Sequence, residues 1–318
     1  VLNQRITRGV DAESGRRWLS IDQEQAIEKI AVAAGLQQAR GETTPMSAGE
    51  VLRKNQGEAW VGERFEYASV LGAVLYVANL TRPDCAYAAA HRLTRFIKNP
   101  SKEHYAALKR LVRYMHRTKH IGVTYWSGGE HPFRLCTACD SSFADCPDTM
   151  RSTLGWGLWL GGATPTVGDS AGVVQPSGLV IWGSRIGKTV AGSTTEAEVQ
   201  AALELLQDIR WARDFLRECG YEQTGSTRLY EDNNGAKAQI ENNKGMKKAR
   251  SYLVALARLN EAHGIGTLHV ERVDSKVNSA DLFTKALLRV DFHRHMLSVL
   301  GITAGGDPGA LGRDGNRG

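Results

Sequence analysis

The chain has 318 residues, 42% hydrophobic and 23% charged, with 8 Pro, a composition that supports one large or two ordinary folded domains and excludes a disordered chain. No run of 18 apolar residues occurs and the opening VLNQRITRG lacks an apolar targeting core, which excludes a spanning helix and a membrane partner. The net charge of +6 is uneven: residues 1–133 carry 19 Lys or Arg against 13 Asp or Glu, whereas residues 134–318 carry 21 of each, so a polyanion-binding surface is expected in the first part. Five scattered Cys, an odd number, point to reduced thiols in an intracellular setting. A strand-like start without Met reads as a fragment of a longer chain.

In chain order, residues 2–8 and 16–20 read as strands joined by a polar turn from Asp11 to Gly15. Helical spacing follows over 22–35, where Ile27, Ile30, Ala31 and Ala34 form the apolar stripe, Asp22 is the expected N-cap and Gly35 the stop. Residues 40–62 are polar and Gly-rich, an exposed connector. Three helices are predicted at 66–79, 84–97 and 101–117, punctuated by Pro83 and Pro100. In the third, Lys109, Arg113 and Arg117 fall at i, i+4 and i+8 with Arg110 beside them. This is either a solvated outer face or a stripe that grips phosphates.

From residue 133 the pattern becomes strand-rich. Strands are predicted at 133–140, 154–160 and 179–184, then a long helix at 194–218. Further on come a strand at 227–231, helices at 234–241 and 247–262, a strand at 268–273 and a helix at 279–289. Strands that first meet through short links and then alternate with helices favour a mixed sheet covered by helices, an α/β class. The Gly-rich stretch 161–178 separates the second and third strands, and 301–318, with seven Gly, is expected to be a flexible tail.

Four acids stand where such a sheet would gather them. Asp140 ends one strand-like run, Asp232 follows another, Glu198 lies in the opening of the long helix and Asp281 at the start of a late one. Glu196 and Glu198 are roughly 200° apart around a helix axis. Glu198 shares its side with Ala201, Ala202 and Leu205, so it is favoured over Glu196 to face the sheet. Each acid alone also fits a turn, cap or helix-terminus role. Gathered, they would repel one another unless cations were held, and oxygen ligands suit Mg²⁺ or Mn²⁺. Two such ions about 4 Å apart activate a nucleophile and stabilise a leaving oxygen in phosphodiester hydrolysis. Zinc is disfavoured, because Cys136 and Cys139 are an odd number of strand positions apart. Ser193 or Thr194 reads as a helix cap, and His269 as a packed or surface side chain.

The strings LGAVLYVANLTRPDCAYAAAHRLTRF and NPSKEHYAALKRLVRYMHRTKH resemble the copia-like retrotransposon Pol polyprotein, in the segment after the reverse transcriptase palm. TACDSSFAD, RSTLGWGLWLGG, KTVAGSTTEAE, LYEDNNGAKAQI and NSADLFTKAL then resemble, in order, its ribonuclease H region. The resemblance implies a ribonuclease H-like mixed five-stranded sheet flanked by helices, preceded by a mainly helical connection-like region. Its implied divisions are 1–45, the end of the reverse transcriptase-like region; 46–132, thumb or connection; 133–300, ribonuclease H-like; and 301–318, tail. It also implies metal-dependent hydrolysis of the RNA strand of an RNA–DNA hybrid, with Asp140, Glu198, Asp232 and Asp281 as catalytic metal ligands for two Mg²⁺, or Mn²⁺. Lys109, Arg110, Arg113, Arg117, Lys247 and Lys248 would hold the nucleic-acid backbone. No polymerase activity is expected, since the paired polymerase aspartates are absent, although an upstream polymerase region of the same polyprotein is an implied partner. The setting implied is cytoplasmic or within virus-like particles. The alternative is a catalytically inactive, nucleic-acid-binding or structural fragment of a decayed copy. Departures from the family pattern are Ser142 in place of a second Asp, an insertion at 163–178, Ser251 in place of a His and Leu253 in place of an Asp.

Overall fold

The computed structural model describes residues 3–12, 14–127, 133–161, 177–242 and 250–302. The chain divides into two compact units, one of Val1–Trp126 with Ala286–Gly318 and one of Ser127–Lys285.

In the first unit, β1 (Arg5–Val10) and β2 (Arg17–Asp22) form the expected hairpin, and α1 (Glu24–Ala33) follows at once. The N-cap position falls to Gln23, because Asp22 is drawn into the last pair of the hairpin; its Oδ1 still accepts the Glu24 amide at 3.1 Å. Gly35, with φ +67, ends the helical stretch in the left-handed conformation that glycine tolerates best. The connector is less exposed than its composition predicts: Thr44, Met46 and Leu52 are buried. α2 (Tyr67–Leu80) and α3 (Lys102–Arg117) match the predicted helices. The segment between them is a succession of short turns at Pro83–Cys85, Tyr87–Arg92 and Leu93–Phe96, tight at both ends and wide in the middle. A fully buried ion pair anchors it. Arg82 meets both carboxylate oxygens of Asp84, and donates to the Thr118 carbonyl and hydroxyl. Tyr114 donates to the same carboxylate at 2.5 Å.

β3 (Val123–Trp126) then adds to β2, so the N-terminal hairpin is completed by a strand about a hundred residues later.

In the second unit, β4 (Leu135–Ser142), β5 (Thr153–Leu160) and β6 (Leu179–Ile186) run antiparallel. α4 (Thr194–Glu218) follows, then β7 (Thr227–Glu231), α5 (Asn234–Asn242), α6 (Leu253–Gly264) and β8 (Leu268–Arg272). β7 lies parallel to β4, and β8 parallel to β7. The sheet order β6-β5-β4-β7-β8, with β4, β5 and β6 antiparallel and β7 and β8 parallel, is the mixed five-stranded sheet expected from the sequence. Leu205, Leu206 and Ile209 of α4 pack with Leu135, Leu158 and Leu229 of the sheet and Leu256 and Leu259 of α6, all essentially sealed from water. Ser193 caps α4 by accepting the Glu196 amide at 3.1 Å, as its sequence position predicts.

Two boundaries differ from the sequence reading. Where one helix is predicted over 279–289, only a short tight turn, Ser279–Phe283, forms, and a separate α7 (Arg289–Leu300) follows. The Asn278 side chain explains the turn: it accepts the Ala280 amide at 3.1 Å and donates to the Cys139 carbonyl at 2.9 Å, which ties the segment to β4. Moreover α7 clusters with the first unit, where Phe292 meets Tyr114 edge-on, and the second compact unit ends at Lys285. Most of the 163–178 insertion, the start of the predicted 247–262 helix and nearly all of the 301–318 tail lie outside the described residues.

Candidate active site

β4 is central in its sheet, with β5 and β7 on its two sides, so the ends of β4 and β7 stand next to each other. Asp140 projects from β4, and Asp232 follows directly on β7. α4 is held to the sheet by its apolar face and by the Trp156 indole, which donates to Asp208 at 2.6 Å; that seat brings Glu198 over the same place. One carboxylate oxygen from each of Asp140, Glu198 and Asp232 lies within 4.8 Å of the other two. Asp140 and Glu198 are buried and Asp232 is half-buried.

Glu198, rather than Glu196, joins the cluster, as helical geometry predicts. Glu196 is also buried, however, and not outward. It accepts the Gly192 amide and the Ser251 hydroxyl, both at 3.0 Å, and so serves the start of α4.

Asp281, the fourth predicted acid, reaches the site through Lys285. The ammonium lies 2.6 Å from Asp281 Oδ1 and 3.3 Å from Asp140 Oδ2. Thr284 donates its hydroxyl to the same Asp140 oxygen. The Ser279–Lys285 segment is pinned by Asn278 and by Ser184, which donates to the Phe283 carbonyl at 2.6 Å. It can lie so close because Gly155 stands directly across from Asp140 in the β4–β5 register; a Cβ there would come within 2.6 Å of Phe283 and Thr284.

The cluster is strained electrostatically. Burial, then the Asp281 charge, pushes the Asp140 carboxyl up to about 7, against the pull of Lys285 and Thr284. Burial, then Glu231 and Asp140, pushes Glu198 well above the carboxylate range. Glu231 is a further acid that sequence reasoning missed. Fully buried, it accepts the Asn233 amide at 2.8 Å and the Cys139 thiol at 3.4 Å, and burial pushes it up to about 8. Lys285 and Thr284 were missed as well. The TK pair after Asp281 was their one sequence signal: a basic residue four positions after an acid is within reach of it on a helical turn.

The cluster meets the requirement of a cation site in a specific way. Glu198 Oε2 is buried with no hydrogen-bond partner among the described residues, a costly arrangement for a carboxylate unless a ligand completes it. Oxygen-only donors from three carboxylates suit a hard divalent ion.

The other candidates have ordinary partners. Asp145 accepts the amide and hydroxyl of Thr153 at 2.9 and 2.7 Å, holding the turn between β4 and β5. Asn233 caps α5 through the Ala236 amide at 3.0 Å, so the DNNG string is both turn and site. Cys136 and Cys139 are buried free thiols, and His269 is an exposed side chain against His263. The predicted phosphate stripe on α3 is largely taken up within the chain. Lys109 pairs with Glu63 at 2.6 Å, and Arg110 and Arg113 pair with Glu42 at 3.2 and 3.1 Å; Arg117 is exposed. Lys247 and Lys248 lie outside the described residues.

Over 92% of its length the chain is 29% identical to the retrovirus-related Pol polyprotein from transposon TNT 1-94 of Nicotiana tabacum. It is 28% identical over 93% to that from transposon RE1 of Arabidopsis thaliana. It spans 21% and 19% of those relatives' own lengths, about one-fifth of each. Two structures of LC11-RNase H1, one in complex with RNA/DNA hybrid, are each 12% identical and cover 48% of this chain. They are themselves covered over 92% and 94%, with TM-scores of 0.34 and 0.32. No protein-family model matches the chain.

Proposed function

Because this chain belongs with the retrovirus-related Pol polyproteins of copia-like transposons, we propose that its Ser127–Lys285 unit is a metal-dependent ribonuclease that cuts the RNA strand of RNA–DNA hybrids. The observation that carries the reading is the convergence of Asp140, Glu198 and Asp232 within 4.8 Å, with Glu198 Oε2 buried and without a hydrogen-bond partner among the described residues. A purely structural role for Glu198 would have given its buried Oε2 a donor, and among the described residues it has none.

Asp140, Glu198 and Asp232 would hold Mg²⁺ or Mn²⁺ on one side of the cluster, with Asp140 and Asp281 offering a second position. Bound there, the ions would supply water activation and stabilisation of the leaving oxygen. The residues themselves prepare the place. The β4–β7 pairing fixes Asp140 and Asp232 on adjacent strand ends, and the apolar seat of α4 fixes Glu198, so little reorganisation is needed when a phosphodiester arrives. Asn278 and Ser184 hold Asp281 and Thr284 against Asp140. Selection of a hybrid would come from groove shape and 2′-hydroxyl contacts rather than from base reading. The upstream polymerase region of a longer polyprotein is the proposed partner that delivers the hybrid.

The test is cleavage of a labelled RNA–DNA hybrid by the full chain with Mg²⁺. The expected result is cutting of the RNA strand, little action on single-stranded RNA, and a fall of roughly 10²-fold or more in Asp140→Asn, whose neutral amide binds a divalent ion poorly. Equal cutting by both proteins would refute the ligand assignment. Hybrid binding without any cutting would favour the non-catalytic fragment instead.

A further inference from the structure

Lys285 occupies a position that a purely structural salt bridge does not require. Five acids, Asp140, Glu198, Glu231, Asp232 and Asp281, crowd the ends of β4 and β7. Among the described residues Lys285 is the basic side chain in ion-pair contact with any of them. Its ammonium is 2.6 Å from Asp281 and 3.3 and 3.4 Å from the two oxygens of Asp140, in the gap between the two carboxylates. The Lys285 side chain is 41% exposed, whereas those of Asp140 and Asp281 are 2% and 14% exposed, so the cation can swing out while the acids stay. On the other side of Asp140, Glu198 and Asp232 have no such cation in ion-pair contact among the described residues, and Glu198 Oε2 has no hydrogen-bond partner among them.

We infer that Lys285 is a tethered counter-cation that stabilises the cluster when no ion is bound and guards one of its two cation positions. A Lys ammonium and a divalent ion make competing demands on the same carboxylate oxygens: the first offers three donors and one charge, the second requires several oxygens at close range. The position formed by Asp140, Glu198 and Asp232 therefore fills first. An ion shared by Asp140 and Asp281 enters only as Lys285 leaves Asp140. Loading is sequential, and the second step is weakened by the lysine. The guarding role rests on the metal-centre reading above; the counter-cation role does not.

The experiment uses the full chain and Mn²⁺ alone, followed by titration calorimetry and by thermal melting in chelator. In Lys285→Met the weaker Mn²⁺ step is expected to tighten roughly tenfold, since one partly screened unit charge is removed. The melting temperature in chelator is expected to fall by about 4 °C or more. Lys285→Arg should keep both properties near those of the unmodified chain. Should Lys285→Met fold poorly, pairing it with Asp281→Asn removes the unmatched charge, and the pair should regain stability in chelator. An unchanged melting temperature in Lys285→Met would overturn the counter-cation, and an unchanged Mn²⁺ isotherm would overturn the guard. If the unmodified chain takes up no Mn²⁺, the metal-centre reading and the guard both fall, while melting in chelator still decides on the counter-cation.

Discussion

Asp140 is the residue on which the site converges, and its neighbours decide what it can do. It is buried, so its charge is costly. It faces the Asp281 charge, and it is compensated by one hydroxyl and one ammonium. Those two donors reach it only because residue 155 has no side chain. Gly155→Ala places a methyl group within 2.6 Å of the Cβ of Phe283 and the methyl of Thr284, and 3.1 Å from the Phe283 backbone carbon, which cannot move freely. The expected outcome is a loss of about 1–3 kcal/mol in urea unfolding and weaker Mn²⁺ uptake, as the Thr284–Lys285 segment is pushed from Asp140. Gly157→Ala is the control. Its close contact, Leu179 Cδ2 at 2.7 Å, is the end of a flexible side chain. A smaller loss and unaltered Mn²⁺ uptake are expected there; equal effects from the two substitutions would remove Gly155 from any role in shaping the site.

At the scale of elements, α3 illustrates how a correct periodicity is put to an unexpected use. Lys109, Arg110, Arg113 and Arg117 do share a face, but the connector brings Glu42 and Glu63 to three of them, and Arg113 also donates to the Arg40 carbonyl at 2.6 Å. These pairs are partly exposed, and such pairs are held weakly enough for phosphates to compete. Glu42→Gln releases two guanidinium groups at once. Hybrid binding by this variant is expected to tighten, and its affinity to fall more steeply with added salt, by about one to two further phosphate contacts in the slope. An unchanged salt slope, measured by fluorescence anisotropy, would show that α3 does not meet nucleic acid. The neighbouring Arg82–Asp84 pair is of another kind: wholly buried and saturated with donors, it is a fixed joint between α2 and α3.

For the whole molecule the consequence of gathering so many acids is a stability that depends on pH and on cations. Asp140 is pushed up to about 7 and Glu231 up to about 8, from ordinary values near 4. The folded state thus binds protons more tightly than the unfolded state. The stabilisation is complete below the ordinary carboxylate range and is lost as pH rises through about 7 to 8. In chelator, urea melts are expected to show a fall of at least roughly 2 kcal/mol between pH 5 and 8.5, and added Mg²⁺ should remove much of it. Glu28, held below the usual range by Lys119, acts in the opposite direction, but on the surface, where the effect is small. A flat profile in chelator would mean that the acids are not gathered in solution. By itself the sequence determined the helices of regular spacing, most strands, the cap at Ser193 and the choice of Glu198, because each depends on periods of two or 3.6 residues or on a local hydrogen bond. It also pointed to the family, through strings that cover most of the chain. Only the tertiary structure decided that Asp140 and Asp232 stand side by side, that Glu231, Thr284 and Lys285 join them, that α3 is paired to its own connector, and that α7 leaves the second unit for the first. Those outcomes depend on contacts between residues up to 250 positions apart, and such contacts are set by how the chain is ordered in space, which leaves no periodic trace in the sequence.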